Sequence, residues 1–244
     1  MKVVPEKNWE VYSYQTDKGM VVVGFHADAD KIEKASYPYC ARIIIPIKQP
    51  ENHGGPSREE ANVLWALEDN LTELLSSHSV PCQMLGRLTH EGSRELVFQL
   101  HDWETFRPPV GMWMMQHEDL NIDVSEHEGW GFFFESVWPS PTSWLLISDR
   151  RVVDSLLRSG SDPKKLHSLE FVFRGPASAL DQMLSALLGR GYTSIDLKPA
   201  EGVLVIAKSM TLDLGPIYDA TLLHEEESRK LGIQYDGWGC LVVK

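Results

Sequence analysis

The sequence is poor in cysteine, with only Cys40, Cys82 and Cys240 among 244 residues. None stands in a C-x-x-C pair, and an odd, scattered set excludes a disulfide framework. Buried thiols in a reducing compartment are expected instead, which points to a cytoplasmic protein. Long apolar runs are missing too. The runs present, such as Ile43 to Ile47, fall far short of the roughly 20 residues that span a bilayer. The opening MKVVPEKNWEVYSYQ lacks an apolar centre followed by small residues, so neither a membrane span nor a secretory signal is expected.

Positive charge is also scarce. Lysine and arginine number 23 against 35 aspartate and glutamate, a net of −12. That balance opposes direct capture of nucleic acid or of an anionic membrane. The deficit is uneven. Residues 1–140 carry 11 basic and 22 acidic residues, whereas residues 141–244 carry 12 and 13. The acidic half either keeps the chain soluble or faces a basic partner.

The usual signatures of chemistry are absent. There is no G-x-x-x-x-G-K-[ST], no G-x-G-x-x-G and no G-x-S-x-G, so His53-Gly54-Gly55 reads as a helix entry and not as an oxyanion loop. The nine histidines include no i, i+4 pair. His224-Glu225-Glu226-Glu227-Ser228 begins like a zinc-protease helix, but Ser228 stands where the second histidine is required, and the segment reads as a charged helical face. No catalytic residue, metal ligand or cofactor is expected.

What is present is an α+β pattern, twice. Trp138-Pro139-Ser140-Pro141-Thr142-Ser143 reads as a break, which divides the chain into residues 1–138, a linker over 139–147 and residues 148–244. In the second half, a helix from Ser148 to Ser159 precedes a strand at Leu166–Phe173. A helix entered at Gly175-Pro176 carries Leu180, Met183, Leu184, Leu187 and Leu188 on one face. Tyr192–Leu197 and Val203–Met210 form a hairpin across Lys198-Pro199-Ala200-Glu201-Gly202. A helix to Leu231 and a strand at Gln234–Val243 complete β-α-β-β-α-β, the ferredoxin-like order.

The first half repeats that order behind an added hairpin, Trp9–Tyr14 with Met20–Phe25. A strand at Ala41–Ile47 leads to a helix with Ser57 and Glu60 in a capping box and a stripe of Leu64, Leu67, Leu71, Leu74 and Leu75. Strands at Gln83–Thr89 and Glu95–Leu100 follow. A helix over Thr105–Asp119 keeps Pro108 and Pro109 in or before its first turn, and a last strand covers Ile122–Val137.

Both expected final strands hold an acidic residue and then Gly-Trp-Gly: Glu128 to Gly131 around Trp130, and Asp236, Gly237, Trp238 and Gly239. Glycine inside a strand marks a bulge or a close approach by another chain. Each tryptophan is expected to plug the core while Glu128 or Asp236 points outward. Strict alternation puts Gly237 and Gly239 on one pleat face and Trp238 on the other.

Leu157 through Pro163, including Gly160 and Asp162, the strand Leu169–Phe173, the helix ending in Gly191-Tyr192, and Ile233 through Gly239 together resemble the family of regulator of ribonuclease E activity B, RraB, over residues 148–244. Residues 9–137 are similar to an uncharacterised domain family often fused ahead of it, through Tyr37-Pro38, Gly55-Pro56-Ser57, Leu67-Glu68-Asp69 and Gly86 to Glu95. The RraB resemblance implies a non-enzymatic regulator that binds ribonuclease E or a related complex and modulates RNA decay. Members are strongly acidic, whereas residues 141–244 are nearly neutral here. From the two Gly-Trp-Gly segments and that resemblance together, the partner-binding candidates are Asp236, Gly237, Trp238, Gly239, Gly160, Asp162, Glu128 and Trp130. Two other readings are a small-molecule or peptide site at the cleft between domains, and an enzyme of unrecognised type using histidines gathered by folding.

Overall fold

A computed structural model describes residues 8–51, 54–198 and 201–244; His53, and Pro199-Ala200 of the expected hairpin turn, lie outside them. The chain divides into two compact units, Met1–Pro139 and Ser140–Lys244, each of mixed α+β structure.

In the first unit β1 (Trp9–Thr16) and β2 (Gly19–His26) pair antiparallel, with Thr16 opposite Gly19. Then come β3 (Tyr39–Pro46), α1 (Arg58–Ser77), β4 (Cys82–His90), β5 (Ser93–Leu100), α2 (Trp103–Gln116) and β6 (Asp123–Glu128). The strands form one antiparallel six-stranded sheet in the order β1-β2-β4-β5-β3-β6. Alternation along β3 and β5 sends Ile43, Ile45, Leu96, Phe98 and Leu100 to one face. There they meet Leu64, Leu67, Leu71 and Leu75 of α1 and Phe106, Val110 and Trp113 of α2. Each such side chain contributes about 1.5–3 kcal/mol on burial.

Three local expectations for this unit change. Ser57 caps α1 by accepting the Glu60 N–H at 3.2 Å, but the Glu60 carboxylate does not return to Ser57. It accepts the main-chain N–H groups of Lys48 and, at 3.1 Å, Gln49, tying the incoming loop to the helix. α2 starts earlier than its prolines imply, because Asp102 caps it through the Thr105 N–H at 2.8 Å. Pro108 and Pro109 therefore lie beyond the first turn and forgo bonds to Glu104 and Thr105. Burial of Phe106, Pro109 and Val110 offsets that loss.

The third change is the last strand, expected to reach Val137 but ending at Glu128. Gly129 turns the chain at φ +69°, and the backbone winds into a π-helical turn at Phe133–Val137. The run Phe132-Phe133-Phe134 has strand propensity, yet Trp130, Phe133, Phe134, Val137 and Trp138 recur at helical spacing. That spacing wins because it packs Trp130, Phe133 and Trp138 against one another, edge-on or tilted, and brings Trp138 against Phe25 of β2. Gly86 of β4 admits the turn: a Cβ there would stand 2.4 Å from Cγ1 of Val137.

The second unit runs α3 (Pro141–Arg158), β7 (His167–Arg174), α4 (Ala177–Leu188), β8 (Thr193–Lys198), β9 (Val203–Met210), α5 (Leu214–Leu231) and β10 (Gln234–Gly239). Its antiparallel sheet has the order β10-β7-β9-β8. Residues 141–147, expected as linker, are instead the first two turns of α3. Ser140 accepts the Ser143 N–H at 3.0 Å, and Pro141 sits at the first helical position, where its missing N–H costs nothing. β10 stops at Gly239, short of Val243. Leu169, Phe171 and Phe173 of β7 pack with Leu180, Met183 and Leu187 of α4 and Ile217 of α5. Ser168, Glu170 and Arg174 point to the exposed face. Among the described residues no helix is long and apolar enough to cross a membrane.

Candidate functional site

The second unit concentrates its unusual geometry in β10. Tyr235 stands opposite Phe173 and Trp238 opposite Phe171, so Asp236 and Gly237 together face Val172 alone. This is a β-bulge, and Gly237 adopts φ +88°, a backbone region that side chains rarely enter. The extra residue breaks strict alternation. Tyr235 and Trp238, three positions apart, both point into the core. A Cβ on either Gly237 or Gly239 would meet nothing within 4 Å.

Trp238 is the inner half of the motif. Its Nε1 donates to Oδ1 of Asp149 on α3 at 2.8 Å. Thr221 of α5 lies beside that carboxyl and stands 3.5 Å from the Tyr235 hydroxyl. Burial pushes the Asp149 carboxyl up to about 6, against the lowering effect of Thr221 and Trp238. Asp236 is the outer half. It is exposed and pairs with Nε of Arg174 at 2.7 Å. Such a surface pair is worth about 0–1 kcal/mol, little enough for a partner's charge to replace it.

Gly160 follows α3 at φ +90°. The next residues are tied to the segment beyond β10: the Asp162 N–H donates to the Val243 carbonyl at 2.8 Å, and Ser161 Oγ accepts the Val243 N–H at 3.3 Å. The Asp162 carboxylate caps its own loop through the Lys164 N–H at 3.0 Å. The two motif regions of this unit thus meet through the chain that leaves β10. Leu241, on that chain, is 84% exposed.

The first unit's Gly-Trp-Gly is different. Glu128 ends β6 opposite Tyr39 and is exposed. Trp130 has left the sheet; it is buried, and its Nε1 donates to the Tyr37 carbonyl at 3.0 Å. The two segments share letters without sharing geometry.

Several interior polar groups had no sequence motif to announce them. His224, read as part of a charged surface, is fully buried among Phe171, Phe173, Tyr192 and Tyr235, with ring centroids 4.5–5.3 Å away. Burial, aided by Lys208, lowers its ring to about 3, so it is neutral. Ile217, Thr221, His224 and Ser228 lie on one buried stripe of α5, a helical spacing visible in the sequence, while Glu226 stays in solvent.

In the first unit, Glu68 is buried on α1 and accepts both Nε (3.0 Å) and Nη2 of Arg87. The Arg87 guanidinium lies 4.4 Å from the Trp9 ring and 4.3 Å from the Trp65 ring. These residues line a cleft of about 510 Å³ between α1 and the sheet, completed by Thr72, Gln83 and Met84. Among the described residues no group of three or more His, Cys, Asp or Glu could hold a metal ion.

Residues 7–137, more than half of the chain, match the model of a family of unknown function, DUF695. The chain belongs to that family. Behind the DUF695 portion, residues 146–240 match the model of regulator of ribonuclease activity B. That RraB segment contains Asp149, the Gly160–Asp162 loop and the whole of β10. No curated protein matches the chain.

Proposed function

We propose that this chain is a non-enzymatic regulatory protein whose RraB segment binds a protein partner at the outer edge of β10. The observation that carries the proposal is the β10 bulge inside an RraB match. It separates an inner anchor, Trp238 on Asp149, from an outer surface formed by Asp236 and two open glycines. β10 ends its sheet, so its free edge is a template for an added strand. Leu241 beside it supplies an apolar contact. Ribonuclease E, or a related complex of RNA decay in the cytoplasm, is the partner class that the RraB match favours. We also infer that both units are ferredoxin-like: β10-β7-β9-β8 and the β4-β5-β3-β6 part of the first sheet support this, since each reads second, third, first, fourth from one end or the other. In this reading β1 and β2 are the addition to the first unit.

The test is direct binding to purified ribonuclease E, read with cleavage of a model RNA. The expected result is that the full chain binds and slows cleavage. Asp236→Ala weakens binding tenfold or more with an unchanged melting temperature. Trp238→Ala instead destabilises the second unit by about 3–5 kcal/mol, as large-to-small core changes do. Full-strength binding by Asp236→Ala would remove the outer surface from the account, and no binding by the wild type would remove the partner class.

A second reading, binding of a small molecule by the DUF695 portion, is favoured by the cleft of about 510 Å³, a volume ordinary for ligand sites. A saturable ligand-induced change in tryptophan fluorescence, lost in Trp65→Ala, tests it.

A further inference from the structure

Arg94 of β5 is 6% exposed, and its polar atoms are unequally served. Nε donates to Oγ1 of Thr89 at 2.7 Å. Nη1 is buried without a hydrogen-bond partner among the described residues. The nearest carboxylate, Glu68, is 4.0 Å away, beyond hydrogen-bond reach, and both its oxygens are already taken by Arg87. Two guanidinium groups therefore share one carboxylate in the protein interior. Burial lowers the affinity of Arg94 for its proton, yet an arginine stays charged at neutral pH. A buried cation of this kind normally has a charged partner.

Room for that partner exists next to it. Arg94 and Thr89 line a cavity of about 160 Å³ with Met20, Val22, Gly55 and Pro56. A water occupies about 30 Å³ in the liquid, so the space admits a small polyatomic ion. Gly55 and Pro56 immediately precede Ser57, the N-cap of the 20-residue α1, so the cavity borders the positive end of a long helix. Of the two first-turn carboxylates, Glu59 is exposed and Glu60 is turned away to the main chain of Lys48 and Gln49. The entry loop is pinned by main-chain bonds from Gly54 to Glu51 (2.7 Å) and from Gly92 to Gly54 (3.0 Å).

We propose that this cavity of the DUF695 portion is a small-oxyanion site, in which Arg94 and the Thr89 hydroxyl hold a carboxylate or phosphate group. Arg94 lines the cavity, Thr89 can donate its proton while still accepting from Nε, and the start of α1 supplies a favourable field. Water would satisfy the hydrogen bond but not the excess positive charge. The acidity of the first unit works against any loosely held anion, so binding depends on these local groups and is not weakened when salt screens the repulsion.

The experiment titrates the full chain with sodium phosphate, sulfate and acetate against sodium chloride at matched ionic strength. It is followed by calorimetry and by melting temperature. The expected result is one saturable site, with a melting temperature several degrees higher at saturation. Preference for phosphate or for acetate identifies the phosphoryl or carboxylate source. Arg94→Gln removes the charge and Val22→Phe fills the cavity with the charge left in place; each is expected to weaken binding at least tenfold. Val22→Phe keeps the test decisive if Arg94→Gln does not fold. Absence of saturable binding beyond chloride, or undiminished affinity in the folded variants, overturns the proposal.

Discussion

Asp149 and His224 are buried in the same unit and give opposite pH dependence. Unfolded, the imidazole titrates near its ordinary 6.5; folded, burial holds it at about 3. Between those values the unfolded chain binds more protons, so the stability from the neutral ring is complete above pH 6.5 and is lost as pH falls toward 3. For Asp149 the ordinary value is 3.8 and the folded one about 6. Here the folded chain binds more protons, so stability falls as pH rises through that window. The histidine is displaced further, and net loss on acidification is expected. His224→Phe should flatten the decline in melting temperature between about pH 7 and 4. Asp149→Asn, which keeps an acceptor for Trp238, should raise the melting temperature above pH 7 and leave it unchanged near pH 4. Variant and wild-type pH profiles that run parallel would show that neither group titrates as described.

At the scale of elements, two glycines act for different reasons. Gly237 is needed for its dihedral angle, since the space around it is open. Gly237→Ala should therefore cost about 1–2 kcal/mol through backbone strain alone, because an added Cβ meets nothing within 4 Å. Gly86 is needed for its missing side chain, because the π-helical turn brings Val137 onto it. Gly86→Ala should destabilise the first unit, and Val137→Ala should recover part of that loss in the double variant, a coupling of about 0.5–3 kcal/mol. Adding Val137→Ala to Gly237→Ala should recover nothing. Urea unfolding of the single and double variants separates the two cases.

At the scale of the whole molecule, each unit owns a core: one cluster on Phe171, Phe173 and Met183, the other on Phe98, Phe106 and Trp113. The caps and helix starts needed by the second, Ser140 and Pro141 included, lie within it. Residues 140–244 expressed alone should therefore fold and unfold in a single cooperative transition. A fragment begun at Ser148 should be markedly less stable, because it loses the N-cap, the first two turns of α3 and buried Ile147. Equal stability of the two fragments would mean that those turns add nothing.

The sequence by itself determined what depends on local pattern. Leucine spacing placed α1, the strand runs placed β3, β5, β7 and β9, and the uncommon Gly-Trp-Gly letters marked β10 and the RraB segment. Tertiary structure alone decided what depends on competition between patterns or on distant partners. Helical packing of Trp130, Phe133 and Trp138 overrode the strand propensity of three phenylalanines. A proline that reads as a linker became the first residue of α3 once Ser140 capped it. The bulge turned Tyr235 and Trp238 to the same side, a reversal that no alternation rule contains. His224, Asp149 and Glu68 are charged or polar letters that read as surface. Their burial follows from rings and counter-charges 11 to 89 residues away in the chain, from Tyr235 beside His224 to Trp238 beside Asp149.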